Sequence, residues 1–313
     1  MATVANLRAI GEVRGQLFGV RLVAFSDDGM QVATGDVALE LALWRDQRVV
    51  FRWDMAGDTR YWRRAERIRG AAFSPDGDSL YVASGESLWC LDTGGGAIKW
   101  EHRSRGILAF LRNACLSVAS LPDGTVLSTY DDGKFEIRDD EGSLKARWGR
   151  RECPRFIEAV DGGRLLVGAD AFASGVWDLS SHRQVARFEP HGRIIGFAAS
   201  RRGPLVAVLT LDELLLWDRS GLRDVVHVPM GMGLPCLDVC PTCDLVAVAD
   251  LDGVGVWDAT GQKLARADAK GMRVLSVKFM PEGSTLVAGC MDGTIRAWDV
   301  GSLLHGCEPQ PGA

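Results

Sequence analysis

The sequence predicts an all-β protein built from seven repeated units of four short strands each. Three observations lead to this fold class: a turn pattern that recurs through the chain, a Trp-Asp pair that follows each turn, and short apolar, β-branched runs between them. Strands this short and bounded by turn residues are typical of all-β chains. The 313 residues are long enough to bury a large apolar core.

The turn pattern is a four-residue segment that ends in glycine in its clear form. Clear copies occupy residues 26–29, 74–77, 121–124 and 280–283. Degenerate copies occupy residues 160–163, 200–203 and 240–243. Proline fixes φ at the second turn position, and glycine supplies a positive φ near the end, so each copy predicts a hairpin between two antiparallel strands. Seven turns predict seven units.

A Trp-Asp pair, or a related pair, follows each turn by about twenty residues. The clear pairs are Trp177-Asp178, Trp217-Asp218, Trp257-Asp258 and Trp298-Asp299. The weaker members are Trp44-Arg45-Asp46, Leu91-Asp92 and Arg138-Asp139. Successive aspartates are 46, 47, 39, 40, 40 and 41 residues apart. A period near forty with four strands per unit predicts propeller blades, and each blade must pack against its neighbours because a small sheet cannot bury both faces alone.

These turns and Trp-Asp pairs resemble the WD40-repeat β-propeller family over roughly residues 20–300. The resemblance implies a seven-bladed ring in which the N-terminus supplies the outermost strand of the last blade. The seventh unit ends at Trp298-Asp299-Val300 without a fourth strand after it, so we expect residues 5–13 to be the closing strand. We expect one propeller domain over residues 1–303 and a disordered tail over residues 304–313.

The chain departs from the family at one recurring position. The family often carries a Gly-His pair before each blade, which completes a hydrogen-bond network with a Ser or Thr, an Asp and the Trp. This sequence contains no Gly-His pair, and His191-Gly192 has the reverse order. The loop aspartates are better matched, at Asp132, Asp252 and Asp292. We therefore expect the fold without the full internal network.

Charge and composition limit the function classes. The net charge of -5 argues against a globally basic nucleic-acid-binding protein. The first fifteen residues contain no apolar core of a secretion signal, and no apolar run reaches the 18 or more residues of a membrane helix. The eight cysteines are irregularly spaced, so we expect reduced thiols and a cytoplasmic location.

Three loops that are adjacent in sequence carry an excess of arginine. Residues 54–69, 100–112 and 145–155 have net charges of +2, +2 and +4 in this acidic chain. The family resemblance implies that these loops lie on the usual partner-binding face. Arginine pairs with carboxylate or phosphate through two parallel hydrogen bonds, and Tyr and Trp are common interface anchors. The candidate partner-binding residues are Arg60, Tyr61, Trp62, Arg63, Arg64, Arg67, Arg103, Arg105, Arg112, Arg150, Arg151 and Arg155.

The sequence thus predicts a non-catalytic scaffold or adaptor in a multiprotein assembly, which binds a protein with an acidic or phosphorylated segment. Solvated or locally paired arginines are the alternative explanation, since exposed ion pairs contribute only about 0 to 1 kcal/mol each. Single-stranded nucleic acid, held by charge and stacking, is a variant that the acidic net charge disfavours.

Signals for enzyme or metal chemistry are weaker. Cys240-Pro-Thr-Cys243, with Cys236 four residues earlier, resembles half of a zinc or redox site, but no second paired motif follows. It aligns with the recurring turn, which predicts a hairpin tip. Residues 88–102 resemble one repeat of the quinoprotein-type propellers. A propeller enzyme, quinoprotein-like or hydrolase, is therefore the alternative function, and we expect no metal or cofactor.

The recurring tryptophans could be interpreted as an aromatic cage for a cationic ligand. They share one position, the third strand of their units, which instead predicts packing between blades.

Overall fold

The structure is a computed structural model that describes residues 5–14, 16, 18–55, 68–104, 113–149, 154–219, 226–229, 236–250 and 253–304. Within these ranges the chain forms seven sheets, six with four strands and one with five. The predicted all-β, seven-bladed propeller is confirmed.

Two N-terminal strands precede the first blade, β1 (Ala5–Asn6) and β2 (Arg8–Arg14). Blade 1 contains β3 (Val20–Phe25), β4 (Gln31–Asp36), β5 (Glu40–Arg45) and β6 (Arg48–Asp54). Blade 2 contains β7 (Ile68–Phe73), β8 (Ser79–Ser84), β9 (Ser87–Asp92) and β10 (Ile98–Arg103). Blade 3 contains β11 (Cys115–Ser120), β12 (Val126–Tyr130), β13 (Lys134–Arg138) and β14 (Leu144–Gly149).

The second half of the chain continues in the same order. Blade 4 contains β15 (Phe156–Val160), β16 (Leu165–Ala169), β17 (Ser174–Asp178) and β18 (Arg183–Phe188), with a 3-10 turn at Asp161–Gly163. Blade 5 contains β19 (Gly196–Ala199), β20 (Leu205–Leu209), β21 (Glu213–Asp218) and β22 (Val226–Pro229). Blade 6 contains β23 (Leu237–Val239), β24 (Leu245–Asp250), β25 (Gly253–Asp258) and β26 (Lys263–Asp268). Blade 7 contains β27 (Val274–Phe279), β28 (Thr285–Cys290) and β29 (Thr294–Asp299).

The N-terminus closes the ring, as predicted, but with different strand bounds. β2 pairs antiparallel with β29, so that Arg8 faces Asp299 and Arg14 faces Thr294. β1 instead pairs parallel with β26 of blade 6. The chain crosses between the two blades at Leu7, whose N–H donates to the Arg266 carbonyl oxygen at 2.8 Å. The N-terminal segment therefore joins blades 6 and 7 as well as completing blade 7.

The first strand of each blade lies innermost and contacts the first strands of the neighbouring blades, including β27 against β3 across the closure. The apolar core lies between the blades. Trp257 of blade 6 packs among residues of blade 5, and Trp298 of blade 7 packs among residues of blade 6. Trp177 and Trp217 pack against blades 3 and 4 in the same way. The predicted interblade packing is confirmed for these four tryptophans.

The internal hydrogen-bond network is incomplete, as the missing Gly-His pairs predict. In blade 1 the Trp44 indole Nε1 donates to Thr34 Oγ1 at 2.8 Å. Gly168 and Val208 occupy the position of Thr34 in blades 4 and 5 and offer no hydroxyl acceptor. The buried indole N–H groups of Trp177 and Trp217 have no hydrogen-bond partner among the described residues.

After the last strand the chain forms one short helix, α1 (Gly301–Leu304). Leu303 and Leu304 pack against the core between blades 6 and 7. Residues 305–313 of the predicted tail lie outside the described residues. No helix in the described ranges has the length and apolar character needed to span a membrane.

Strand direction alternates within each blade, which sorts the loops onto two faces. We call upper the face that carries the loops from second to third strand and from fourth strand to the next blade. The lower face carries the loops from first to second and from third to fourth strand. The predicted recurring turns therefore lie on the lower face. The described strands that flank the arginine-rich segments, β6 and β7, β10 and β11, and β14 and β15, end and begin on the upper face.

Candidate partner-binding face

Two of the twelve predicted binding residues lie within the described ranges, both on the upper face. Arg103 ends β10 at the outer edge of blade 2 and is 64% exposed, with Nη2 3.3 Å from Glu101 Oε1. Arg155 immediately precedes β15 at the inner edge of blade 4 and is exposed. The structure does not bring these two together, because they lie on different blades and at opposite edges. The other ten residues lie outside the described residues: Arg60, Tyr61, Trp62, Arg63, Arg64, Arg67, Arg105, Arg112, Arg150 and Arg151.

Two more arginines occupy the position of Arg155 in other blades. Arg21 immediately precedes Leu22, which faces Gly35 in the second strand. Gly70 and Phe156 take the place of Leu22 in blades 2 and 4, and Arg69 and Arg155 immediately precede them. All three arginines are exposed at the upper end of an innermost strand or just before it. They therefore lie around the upper mouth of the central channel, a placement that the sequence pattern did not predict.

Among the described residues of the upper-face loops, six large apolar side chains are exposed. They are between 36% and 68% exposed and comprise Phe18, Val37, Phe172, Leu211, Met272 and Met291. Neighbouring loops of blades 7 and 1 carry four of them. These loops are joined there by the Val37 N–H, which donates to the Gly19 carbonyl oxygen at 3.1 Å. Exposed apolar clusters on a soluble protein commonly mark interaction surfaces. The repeat pattern did not predict them, although a large apolar residue shortly after a turn-forming aspartate, as in Asp170-Ala171-Phe172, was a signal in the sequence.

Aspartate side chains shape these loops. Asp170 Oδ1 accepts hydrogen bonds from the N–H groups of Phe172 at 2.6 Å and Ala173 at 2.8 Å, which folds the loop so that Phe172 points outward. In blade 7, Asp292 Oδ1 accepts from the Thr294 N–H at 3.0 Å and hydroxyl at 2.6 Å. The pKa of Asp292 is lowered although burial acts to raise it, because Thr294 stabilises the carboxylate. Asp132 accepts from the Lys134 N–H at 3.2 Å, and Asp252 lies outside the described residues.

A buried ion cluster lies between blades 2 and 3. In blade 3, Arg138 pairs with Val126. In blade 1 the same position is the pair of Trp44 with Val32, so Arg138 replaces the recurring tryptophan in blade 3. The Glu136 side chain is 2% exposed, and its Oε2 lies 2.8 Å from Arg138 Nη2 and 3.2 Å from His102 Nε2.

The opposite oxygen of Glu136, Oε1, lies 2.7 Å from Arg147 Nη2. Burial acts to raise the pKa of Glu136, but hydrogen bonds from His102 and Arg138 hold that pKa at about 2. The sequence marked Arg138 as a weak repeat member and gave no sign of its partners.

Charged side chains from different blades meet in the central channel, among them Lys278 of blade 7. Lys278 Nζ lies 2.6 Å from Asp238 Oδ1 of blade 6 and 3.6 Å from Glu158 Oε1 of blade 4. Near the lower mouth, Arg201 Nη1 of blade 5 lies 2.7 Å from Asp27 Oδ1 of blade 1. Burial acts to lower the pKa of Lys278, but Asp238 and Glu158 raise it above its ordinary value. The Lys278–Asp238 pair joins the neighbouring blades 7 and 6, whereas the Lys278–Glu158 and Arg201–Asp27 pairs join blades that are not adjacent.

Cys240 and Cys243 lie at the hairpin tip between β23 and β24, as the repeat predicts. Among the residues that the structure describes, no group of three or more His, Cys, Asp or Glu side chains is placed to hold a metal ion.

The protein is a ring of seven blades whose upper face, in its described residues, exposes apolar side chains and arginines. Residues 262–299, from β26 to β29, match the family described as WD domain, G-beta repeat. The turns, the Trp-Asp pairs, the closure by β2 and this match agree. The structure is thus a seven-bladed β-propeller of the WD40-repeat type.

Curated relatives match parts of the chain. The chain is 28% identical over 184 residues to the small ribosomal subunit protein RACK1y of Oryza sativa subsp. japonica, a match that covers 55% of this chain and 54% of that protein. It is 23% identical over 185 residues to the U3 small nucleolar RNA-associated protein 15 homolog of Xenopus laevis, covering 56% and 36%. It is 32% identical over 84 residues to the periodic tryptophan protein 2 homolog of Neurospora crassa, covering 26% and 9%. The chain therefore spans about half the length of the first relative and less of the other two.

Proposed function

We propose that this chain is a protein-interaction platform, without a catalytic centre of its own, whose upper face binds another protein within a multiprotein assembly. The observation that carries this proposal is the set of six exposed apolar side chains beside exposed arginines on one face. Aromatic residues, methionine and arginine are enriched in protein interfaces relative to other surfaces. The names of two relatives support an assembly, since one is a small ribosomal subunit protein and another is a U3 small nucleolar RNA-associated protein.

The partner segment is acidic or phosphorylated and binds the arginines of this face. Arg21, Arg69 and Arg155 are exposed around the upper mouth of the channel, and Arg103 is exposed at the rim. The other ten candidates lie outside the described residues, and we propose that they bind the same partner segment: Arg60, Tyr61, Trp62, Arg63, Arg64, Arg67, Arg105, Arg112, Arg150 and Arg151. The planar guanidinium group binds carboxylate or phosphate through two hydrogen bonds at once, which favours such a partner. The compartment proposed for this interaction is the cytoplasm.

Reversing the charge of Arg63, Arg64 and Arg151 to glutamate together is expected to lower partner recovery at least about tenfold in a quantitative pull-down. A tenfold loss corresponds to about 1.4 kcal/mol, a modest effect for replacing attraction by repulsion at an interface. The matched control reverses three exposed lower-face arginines, Arg48, Arg164 and Arg202. Equal recovery by both triple variants would mean that Arg63, Arg64 and Arg151 do not belong to the binding surface. Loss of recovery after nuclease treatment would favour nucleic acid as the ligand.

Replacing Phe172 with serine tests the apolar part of the face separately. Phe172 is 68% exposed, so its loss is expected to change the free energy of unfolding by less than about 0.5 kcal/mol. Partner recovery is expected to fall about fivefold or more, since truncating an interface anchor costs at least about 1 kcal/mol. Met30→Ser is the matched control, because Met30 is 64% exposed on the lower face. If Phe172→Ser and Met30→Ser recover the partner equally well, Phe172 is not an anchor.

A further inference from the structure

Two thiols meet at the hairpin tip of blade 6. The Cys243 thiol donates a hydrogen bond to Cys240 Sγ, and the two sulfur atoms lie 2.8 Å apart. In blades 1 and 2 the equivalent turn carries Ser at the first position and Gly at the fourth, at 26–29 and 74–77. Cys240 replaces that serine, and Cys243 replaces that glycine. Blade 6 therefore has a side chain over the hairpin where those blades have none.

The two sulfur atoms differ in their access to solvent. Cys240 is fully buried in the core between blades 6 and 7, and its thiol lies 3.9 Å from the Gly283 carbonyl oxygen of the blade 7 turn. Its N–H donates to the Leu245 carbonyl oxygen at 2.8 Å, which fixes the base of the hairpin. Cys243 is half-buried and therefore reachable from solvent. A reagent in solution meets Cys243 first, with Cys240 directly behind it.

The surroundings of Cys240 favour its ionised form. The hydrogen bond from Cys243, helped by Thr242 and by backbone N–H groups, lowers the pKa of Cys240 to about 7 although burial opposes this. The thiolate is the form of cysteine that attacks disulfides. At Cys236, in contrast, burial is the largest influence on the pKa and raises it to about 12.

We propose that Cys240 and Cys243 form a redox-active dithiol that closes reversibly to an intramolecular disulfide, with a small-molecule disulfide such as oxidised glutathione as the oxidant. Cys243 Sγ releases its proton to water, attacks one sulfur of oxidised glutathione and expels one glutathione thiolate. The Cys240 thiolate then attacks Cys243 Sγ of this mixed disulfide and expels the second glutathione thiolate. Counted from the dithiol, Cys240 has also released its proton to water, so the protein loses two electrons and two protons. The two glutathione thiolates take up two protons from water, and one oxidised glutathione becomes two reduced molecules.

The site differs from the proposed binding face, because this hairpin tip lies on the lower face against the turn of blade 7. A Cβ atom at Gly283 would lie 3.0 Å from Cys240 Sγ, so the two turns are in contact. Disulfide formation draws Cys240 Sγ from 2.8 Å to about 2.05 Å from Cys243 Sγ, beside this contact between blades 6 and 7. The redox state of the pair is thereby linked to the packing of two neighbouring blades.

The test equilibrates the folded full-length chain with increasing ratios of oxidised to reduced glutathione. After acid quenching and denaturation, remaining thiols are counted with a polyethylene glycol maleimide. Wild-type protein has eight cysteines and is expected to lose two labelled thiols, with dithiothreitol restoring both. Peptide mass spectrometry is expected to find the new disulfide between Cys240 and Cys243. Retention of all eight labelled thiols across the series would overturn the proposal.

Three variants assign the roles of the individual sulfurs. Cys243→Ser is expected to form no disulfide at this hairpin. Cys240→Ser is expected to stop at the mixed disulfide with glutathione on Cys243, and serine at this position is compatible with the repeat because Ser26 and Ser74 occupy it in blades 1 and 2. Cys236→Ser is the control and should respond as the wild type does. A disulfide that persists in Cys243→Ser, or disappears in Cys236→Ser, would contradict the assignment.

Discussion

Replacing Trp257 with alanine is expected to lower the free energy of unfolding by about 3 to 5 kcal/mol. The Trp257 side chain is 4% exposed and packs among Leu205, Ala207 and other apolar residues of blade 5. Lys263 Nζ also lies 4.9 Å from the centre of its ring. Because two rigid sheets flank the indole ring, they cannot close the space that alanine would leave. Urea unfolding followed by circular dichroism measures the loss.

The control for this prediction is Val185→Ala, on the exposed face of an outer strand. Val185 is among the exposed large apolar residues, so its truncation is expected to change the free energy of unfolding by less than about 0.5 kcal/mol. Trp298→Ala should match Trp257→Ala, since Trp298 fills the same position between blades 6 and 7. A loss under about 1 kcal/mol for Trp257→Ala would contradict its role between blades.

The repeat was readable in the sequence because each of its signals is local. Gly77 has a φ of 77°, and the turn of its own four-residue segment requires this positive φ. The Trp-Asp pair, or a related pair, recurs in each third strand at nearly constant spacing, so the number of blades could be predicted without any knowledge of distant contacts. The bounds of the closing strand were less accurate. The crossing at Leu7 depends on a hydrogen bond to Arg266, which is remote in sequence.

The charged clusters could not be read from the sequence, because their partners come from different blades. Arg201 and Asp27 are 174 residues apart in the chain and meet across the channel. His102 and Arg138 belong to neighbouring blades and approach within 3.0 Å. No local pattern pairs such residues. The exposed apolar loop residues had a local signal, but strand-forming apolar residues dominate the same pattern.

Replacing Glu136 with glutamine is expected to lower the free energy of unfolding at pH 7 by about 3 to 5 kcal/mol, since removing one member of a buried ion pair leaves the other uncompensated. The Arg138 side chain is 7% exposed and would keep its hydrogen bond to the Gly142 carbonyl oxygen but lose its counter-charge. Glu189→Gln is the control. Glu189 pairs with Arg187 at 2.6 Å, but both side chains are exposed, so a loss under about 1 kcal/mol is expected.

The pH dependence of the loss of unfolding free energy in Glu136→Gln distinguishes the contribution of the Glu136 charge from that of its packing. The pKa of Glu136 lies near 2 in the folded chain, below its ordinary value of 4.5, so folding favours the ionised form. A depressed pKa contributes stability that is complete above the unfolded pKa and disappears as the pH falls through the folded one. The shift corresponds to about 3 kcal/mol. The difference in unfolding free energy between wild type and Glu136→Gln is therefore expected to shrink steadily from pH 5 towards pH 2. A difference that stays constant over this range would mean that Glu136 stabilises the blade by packing and not by its charge.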